Sequence, residues 1–235
     1  MLGIIGAMDV EVDAIKAKIT NRVTAAIAGI DFVTGYIENV MVTVAQCAPG
    51  KVNAALCTQA MIDHFDIDKI INVGVACSLN EKVVIKNLVI ATDVCQYDID
   101  ITALGEPKGF INGINTIKIE TDKQLSELLA RTAINSGEKI HRGTVASGDT
   151  FISSAAQKEK IAADFDAICG EMEGGAIGQV CAANGIPFAI LRSISDGGDE
   201  NARMDYPTFK KIAADLSATT ITQLIHIQQE QLTLF

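Results

Sequence analysis

Apolar positions along this chain of 235 residues follow two spacings in turn. Short apolar runs that end in small or acidic residues predict strands at 2–8, 24–28, 31–37, 40–45, 69–75, 88–94, 141–146 and 188–193. Apolar positions at helical spacing predict helices opening at Asp9, over 51–64, over 122–136, over 155–165, from Ala176 to Asn184, and over about 207–226, with the Gln-rich tail as a continuation of the last. The runs 24–28, 31–37 and 40–45, separated by turns at Gly29 and Glu38-Asn39, read as an antiparallel meander. The remaining strands alternate with helices, and the β-branched run 69–75 reads as a central strand buried on both faces. This is an α/β pattern with mostly parallel core strands. Gly74-Val75-Ala76-Cys77-Ser78 reads as a small-residue turn after that strand. The stretch 96–113, with Gly105, Pro107, Gly109 and Gly113, reads as a long binding or subunit-contact loop that exposes Ile99, Ile101, Leu104 and Phe110. No repeat or linker interrupts the pattern, so a single domain over 1–235 is expected.

Composition narrows the classes. Hydrophobic residues make up 49% of the chain, as in a packed globular protein. The formal net charge of −10 argues against nucleic acid or an anionic membrane surface as the main partner. Cys47, Cys57, Cys77, Cys95, Cys169 and Cys181 contain no CxxC and lie mostly in apolar runs, so buried free thiols are expected. His64, His141 and His226 are scattered and suggest no metal cluster. The N-terminus lacks the basic region of a signal peptide, and no uncharged apolar stretch approaches the ~20 residues of a membrane span. A soluble cytoplasmic protein follows as the expectation.

Candidate chemistry lies where the strands end. Glu11 follows the first strand, Glu171 and Glu173 follow the apolar run Ala167-Ile168-Cys169, and Asp196 follows the strand at 188–193. In an open α/β sheet, ligands bind outside the carboxyl ends of the strands. Carboxylates gathered there repel one another, and desolvation raises their pKa values further, so some hold a proton near neutral pH. Acid/base chemistry on a sugar bond needs that pairing: one acid protonates the leaving group and one base activates water. Each residue has a plainer role beside this one. Glu11 in a first helical turn compensates the helix dipole. Phe151, after the Gly148-Asp149 turn, is a core aromatic or a stacking platform for a flat base. Arg192 among the acids pairs with one of them, for structure or for function. Gly174 and Gly175 leave the backbone open to close approach.

Taken together, Ile4-Ile5-Gly6-Ala7-Met8 through Glu11, Gly50-Lys51-Val52-Asn53-Ala54-Ala55, Ser147-Gly148-Asp149-Thr150-Phe151-Ile152, Glu171-Met172-Glu173 and Arg192-Ser193-Ile194-Ser195-Asp196 resemble the 5′-methylthioadenosine/S-adenosylhomocysteine nucleosidases of the nucleoside phosphorylase/hydrolase superfamily. The resemblance spans the whole chain. It implies a three-layer α/β/α sandwich around a mixed, partly barrel-like sheet, a homodimer, a small nucleoside substrate, and neither cofactor nor metal. It implies Glu11 as general base for water, Asp196 as acid to adenine N7 aided by Ser195, and Arg192 holding the acids in register. Glu173 would bind the ribose hydroxyls beside Glu171, with Met172 against the sugar and Met8 near the reacting carbon. Phe151 would stack on the purine and the Ile152 backbone would meet its edge. Val75 and Ala76 would line the sugar and base side, and Pro49 and Tyr206 the 5′ side. Ile101 and Leu104 would reach the partner subunit's pocket.

Two departures from the family's pattern carry an expectation of their own. Val75, Cys77 and Ser78 stand where the family usually writes Gly-Ser-Ala-Gly-Gly, and Cys47-Ala48-Pro49-Gly50 replaces a Ser-Gly-Ile-Gly type of turn. A stiffer, less polar wall favours compact apolar 5′ substituents, and methylthioadenosine over adenosylhomocysteine. 5′-Deoxyadenosine is a further candidate. Three rivals stand: a phosphorylase of the same superfamily, an aminodeoxyfutalosine hydrolase, and a nucleoside-binding module without catalysis.

Overall fold

The computed structural model describes residues 1–232, with side chains through residue 227. In chain order the elements are β1 (Leu2–Gly6), α1 (Asp9–Lys16), β2 (Thr20–Ile27), β3 (Ile30–Ile37), β4 (Val40–Gln46), α2 (Lys51–His64), β5 (Lys69–Ser78), β6 (Leu88–Gln96), β7 (Lys118–Glu120), α3 (Lys123–Asn135), β8 (Ile140–Ser147), α4 (Ala155–Phe165), β9 (Ala167–Glu171), α5 (Gly174–Asn184), β10 (Phe188–Asp196) and α6 (Ala202–Leu232). One mixed sheet runs in the order β10-β6-β8-β9-β5-β1-β4-β3-β2, with β7 added to β6. A further pairing of β10 with β5 closes β5, β10, β6, β8 and β9 into a barrel. The meander β2-β3-β4 extends from β1 as the outer wing.

Helices cover both faces, which gives the expected three layers. On one side α2 and α5 pack together, with Cys57, Met61, Ile177 and Cys181 buried among strand residues. On the other, α1, α3 and α6 meet through Ile15, Leu129, Ile221 and Leu224. Strands buried on both faces read as near-continuous apolar runs, and β1 is buried at every position. In β10 every position is also buried, although four of its residues, Arg192, Ser193, Ser195 and Asp196, are polar or charged.

The neighbours of β5 create the crevice. Its first half pairs in parallel with β1, from Lys69 to Asn72. Its last two residues, Cys77 and Ser78, pair antiparallel with β9. Between these contacts that edge of β5 has no partner strand among the described residues, and β1 and β9 diverge around it.

Several boundaries differ from the sequence reading. The stretch 74–78 is not a turn: β5 continues to Ser78, because β10 and β9 supply ladder partners as far as Cys77 and Ser78. For the same reason β10 continues to Asp196 rather than stopping at Ser193. The first strand stops at Gly6 instead of residue 8, where the chain turns into α1. The last helix opens at Ala202, with Pro207 inside it at the expense of one backbone hydrogen bond. In the loop at 96–113, Leu104 is 81% exposed, but Ile99, Ile101 and Phe110 are half-buried, as Ile99 packs against the core. A short helical turn, Thr102–Leu104, interrupts that loop. All six cysteines are free and buried. Among the described residues no helix is long and apolar enough to cross a membrane.

Candidate active site

A cavity of about 250 Å³ opens at the divergence of β1 and β9 from β5. Ala7, Met8 and Glu11 enter it from the β1–α1 turn, and Val75, Ala76 and Cys77 from the exposed edge of β5. Gly170, Glu171, Met172 and Glu173 line it from the end of β9, and Ser195 and Asp196 from the end of β10. Thr150, Phe151 and Ile152 follow β8, Pro49 precedes α2, and Tyr206 comes from the first turns of α6. Ala7 and Thr150 lie within the sequence motifs and Gly170 directly before Glu171, but only the fold gives these three residues a place in the cavity wall. Arg192 lies behind the wall. Ile101 and Leu104 are not part of this chain's own cavity.

Glu11 is fixed by the backbone. Its Oε2 accepts from the Ala7 and Met8 amides at 2.7 and 2.9 Å, and its Oε1 from the Val75 amide at 3.0 Å. The Val75 amide is available because the edge of β5 facing away from β10 lacks a ladder partner there. Burial raises the Glu11 pKa, against the Arg192 charge and these three amides, which favour the anion. Gly74 makes the juxtaposition possible: a Cβ there would lie 2.6 Å from Arg192 Nη1 and 2.8 Å from Glu11 Oε1.

Asp196 has a different setting. Its Oδ2 lies 2.9 Å from the Ser195 hydroxyl, and its Oδ1 accepts from the Gly198 amide at 3.0 Å. Burial raises its pKa, opposed by those two hydrogen bonds and reinforced by Asp205 and Asp199. Ser195 Oγ is also 3.3 Å from the Ala76 carbonyl, which ties β10 to β5 at the cavity.

Glu171 and Glu173 divide their work. Glu171 Oε2 accepts from the Glu173 and Gly174 amides at 3.0 and 2.7 Å and from Arg192 Nη2, while Oε1 takes the Ser147 hydroxyl. Both of its oxygens are engaged by protein donors, and Glu171 lines the cavity from the end of β9. Protein side chains crowd Gly174 and Gly175: a Cβ would meet Ile190 and Glu171 at the first and Gln96 and Ser147 at the second. Glu173 sits at the N-cap of α5 without capping it. Its Oε1 accepts from the Gly50 amide at 3.0 Å, and its Oε2 is 3.8 Å from Arg192 Nη2. Burial, then the neighbouring Glu171, pushes its pKa to about 7.

Arg192 is 1% exposed and serves two carboxylates at once, Glu171 and Glu173, together with Asn72 Oδ1. Asn72 in turn donates to the Ile5 carbonyl at 2.9 Å. Asn72, in the middle of β5, carries no sequence signal for this role. Phe151 is 41% exposed and meets Tyr206 edge-on, with ring centroids 5.5 Å apart. The Tyr206 hydroxyl donates to Met8 Sδ at 2.9 Å and so closes one end of the cavity. Among the described residues no group of three His, Cys, Asp or Glu side chains is placed to hold a metal.

A mixed sheet with a closed barrel, covered by helices and carrying an acid-lined cavity at its strand ends, matches a known architecture. The family model described as the phosphorylase superfamily matches residues 1–226. The 5′-methylthioadenosine/S-adenosylhomocysteine nucleosidase of an Exiguobacterium species is 35% identical over 94% of this chain and 95% of its own. The enzyme of the same name from Staphylococcus aureus is 35% identical over 96% and 99%. A crystal structure of the Helicobacter pylori 5′-methylthioadenosine/S-adenosylhomocysteine nucleosidase, with a pyrrolopyrimidine pyrrolidine compound bound, superposes with a TM-score of 0.92 at 35% identity, covering 96% of this chain and 97% of that one. A futalosine hydrolase structure from the same organism gives 0.92 at 34% identity, covering 96% and 97%. The chain belongs to the phosphorylase superfamily, among its nucleosidases. It is an enzyme that hydrolyses N-glycosidic bonds.

Proposed function

We propose that the enzyme hydrolyses 5′-methylthioadenosine and S-adenosylhomocysteine to adenine and the 5-thio-substituted ribose. One observation carries this reading. Two buried carboxylates, Glu11 and Asp196, face one cavity in different hydrogen-bond settings, and among the described residues that line it none is Lys, Arg or His.

In the proposed reaction Glu11, favoured as an anion by three amides and Arg192, takes a proton from water. The water oxygen bonds to the anomeric carbon as the bond to adenine N9 breaks. The bond's electron pair passes to the purine, and Asp196 delivers a proton to N7, so the base leaves neutral. Burial raises the Asp196 pKa and so supports its protonated form as the donor. Ser195 orients that carboxyl, Arg192 holds the acids in register, and Glu173 accepts from the ribose hydroxyls. Met172 and Met8 pack along the sugar, and Phe151 stacks on the base whose edge meets the Ile152 backbone.

The acidic lining disfavours a phosphate nucleophile, as like charges repel strongly in a site shielded from water. The apolar side chains of Pro49, Val75, Ala76, Cys77 and Met8 fit compact 5′ substituents, so methylthioadenosine is the preferred of the two substrates. The similarity to a futalosine hydrolase favours a second reading, an aminodeoxyfutalosine hydrolase that uses the same acids on another 5′ group. We further propose a homodimer with Ile101 and Leu104 completing the partner's 5′ pocket, and a cytoplasmic enzyme, in keeping with six buried free thiols.

The test is adenine release in phosphate-free buffer, run on methylthioadenosine, adenosylhomocysteine and aminodeoxyfutalosine. Free 5-methylthioribose as product and the highest kcat/KM for methylthioadenosine are expected. A strict phosphate requirement with a 1-phosphate sugar as product would overturn hydrolysis. A clear preference for either other substrate would overturn the assignment of the 5′ group.

A further inference from the structure

Of the motifs that mark the sequence, the one opening α2 has no part in the chemistry above, yet Lys51 reaches three walls of the cavity without lining it. Its amide donates to Asp149 Oδ1 at 2.7 Å, and its ammonium bonds Asp98 Oδ1 and Gln96 Oε1, the latter at 3.1 Å. Asp98 Oδ2 accepts from the Asp149 amide at 2.9 Å, which holds the loop carrying Phe151 and Ile152. Gln96 Nε2 donates to Gln179 Oε1 at 2.7 Å and reaches the Gly175 carbonyl at 3.4 Å, on the helix that Glu173 opens. The third wall is the turn before α2. Gly50 has φ +103°, a conformation that disfavours side chains, and a Cβ there would lie 3.2 Å from Asp149 Oδ1. Its amide is the donor that aims Glu173 Oε1.

The Lys51 and Asp98 side chains are only 17% and 27% exposed, so their attraction is less screened than that of a surface pair. Without the ammonium, Asp98 Oδ1 would lose its ion pair and Gln96 Oε1 its donor. We infer that Lys51 is a positioning residue: its ammonium fixes the start of the helix that Glu173 opens through Gln96, and the base-stacking loop through Asp98 and the Asp149 amide. The inference rests on the reading of Glu173 as the acceptor for the ribose hydroxyls.

The test is a double-mutant cycle between Lys51→Met and Glu173→Gln, with steady-state kinetics on methylthioadenosine. Lys51→Met is expected to raise KM about tenfold with kcat little changed, the size of one charge-assisted hydrogen bond. Lys51→Arg should restore most of the affinity. In the Glu173→Gln background, Lys51→Met should add less than about twofold, because its effect is carried to the ribose through Gln96 and the start of α5, where Glu173 sits. Full multiplication of the two effects would show Lys51 to be merely structural. An unchanged KM in Glu173→Gln alone would overturn the ribose reading and the inference with it, which separates the two failures. If Lys51→Met does not fold, Asp98→Asn removes the same ion pair from its other side and is read in the same way.

Discussion

Replacing Glu173 with glutamine changes the pH dependence of stability by an amount that follows from its surroundings. Glu173 is buried, lies beside Glu171, and has its pKa pushed from 4.5 to about 7. The folded value is above the unfolded one, so between these limits the folded state binds more protons. The stabilisation is present in full below about pH 4.5 and is lost as pH rises through about 7. At about 1.4 kcal/mol per pH unit, the interval from 4.5 to about 7 amounts to about 3 kcal/mol. Glutamine cannot ionise, and its amide oxygen can still accept from the Gly50 amide. Urea unfolding at about pH 4 and about pH 8.5 should therefore show the wild type losing about 3 kcal/mol more than Glu173→Gln over that range. Glu11 and Asp196 also have raised pKa values and add to the slope in both proteins; the Glu11 charge acts on Glu173, so the difference reports the removal of Glu173 together with its coupling to Glu11. Parallel stability curves, or a wild type that gains relative to the variant at high pH, would refute the argument.

Two further outcomes follow from packing and from the exposed loop. Gly74→Ala places a methyl group against Arg192 and Glu11 in a buried site, so denaturant titration should show a loss of about 1–3 kcal/mol, with a fall in kcat. Unchanged stability would mean that the guanidinium and carboxylate are less closely fixed than described. Ile101→Asp should weaken self-association in sedimentation velocity and raise KM, since in the proposed dimer Ile101 and the 81% exposed Leu104 pack against the partner; a fully active monomer would remove the dimer proposal.

The sequence showed the alternation of strands and helices and the gathering of acids, because both depend on local spacing. It showed less of what depends on pairing. Residues 74–78 read as a turn since they are small, yet ladder contacts with β10 and β9 keep them extended, and that extension presents the Val75 amide to Glu11. β7 has three residues, too short to carry a period, and leaves no mark in the pattern. Glu171 and Glu173 are alike in sequence, and only the fold shows that Ser147, two amides and Arg192 engage the first, while the second has the Gly50 amide and a longer contact to Arg192. Asn72 looks like one polar residue in a buried strand, because its partner Arg192 is 120 positions away.

The division of labour between Glu11 and Asp196 is tested most directly by the activity of their neutral isosteres on methylthioadenosine, alongside calorimetric binding of the same nucleoside. Asp196→Asn keeps the shape but has no acidic proton for N7, and Glu11→Gln cannot take one from water. Each should lose at least the ~10²–10⁴-fold typical of general acid–base catalysis while still binding the nucleoside. Near-normal turnover by either variant would contradict the account.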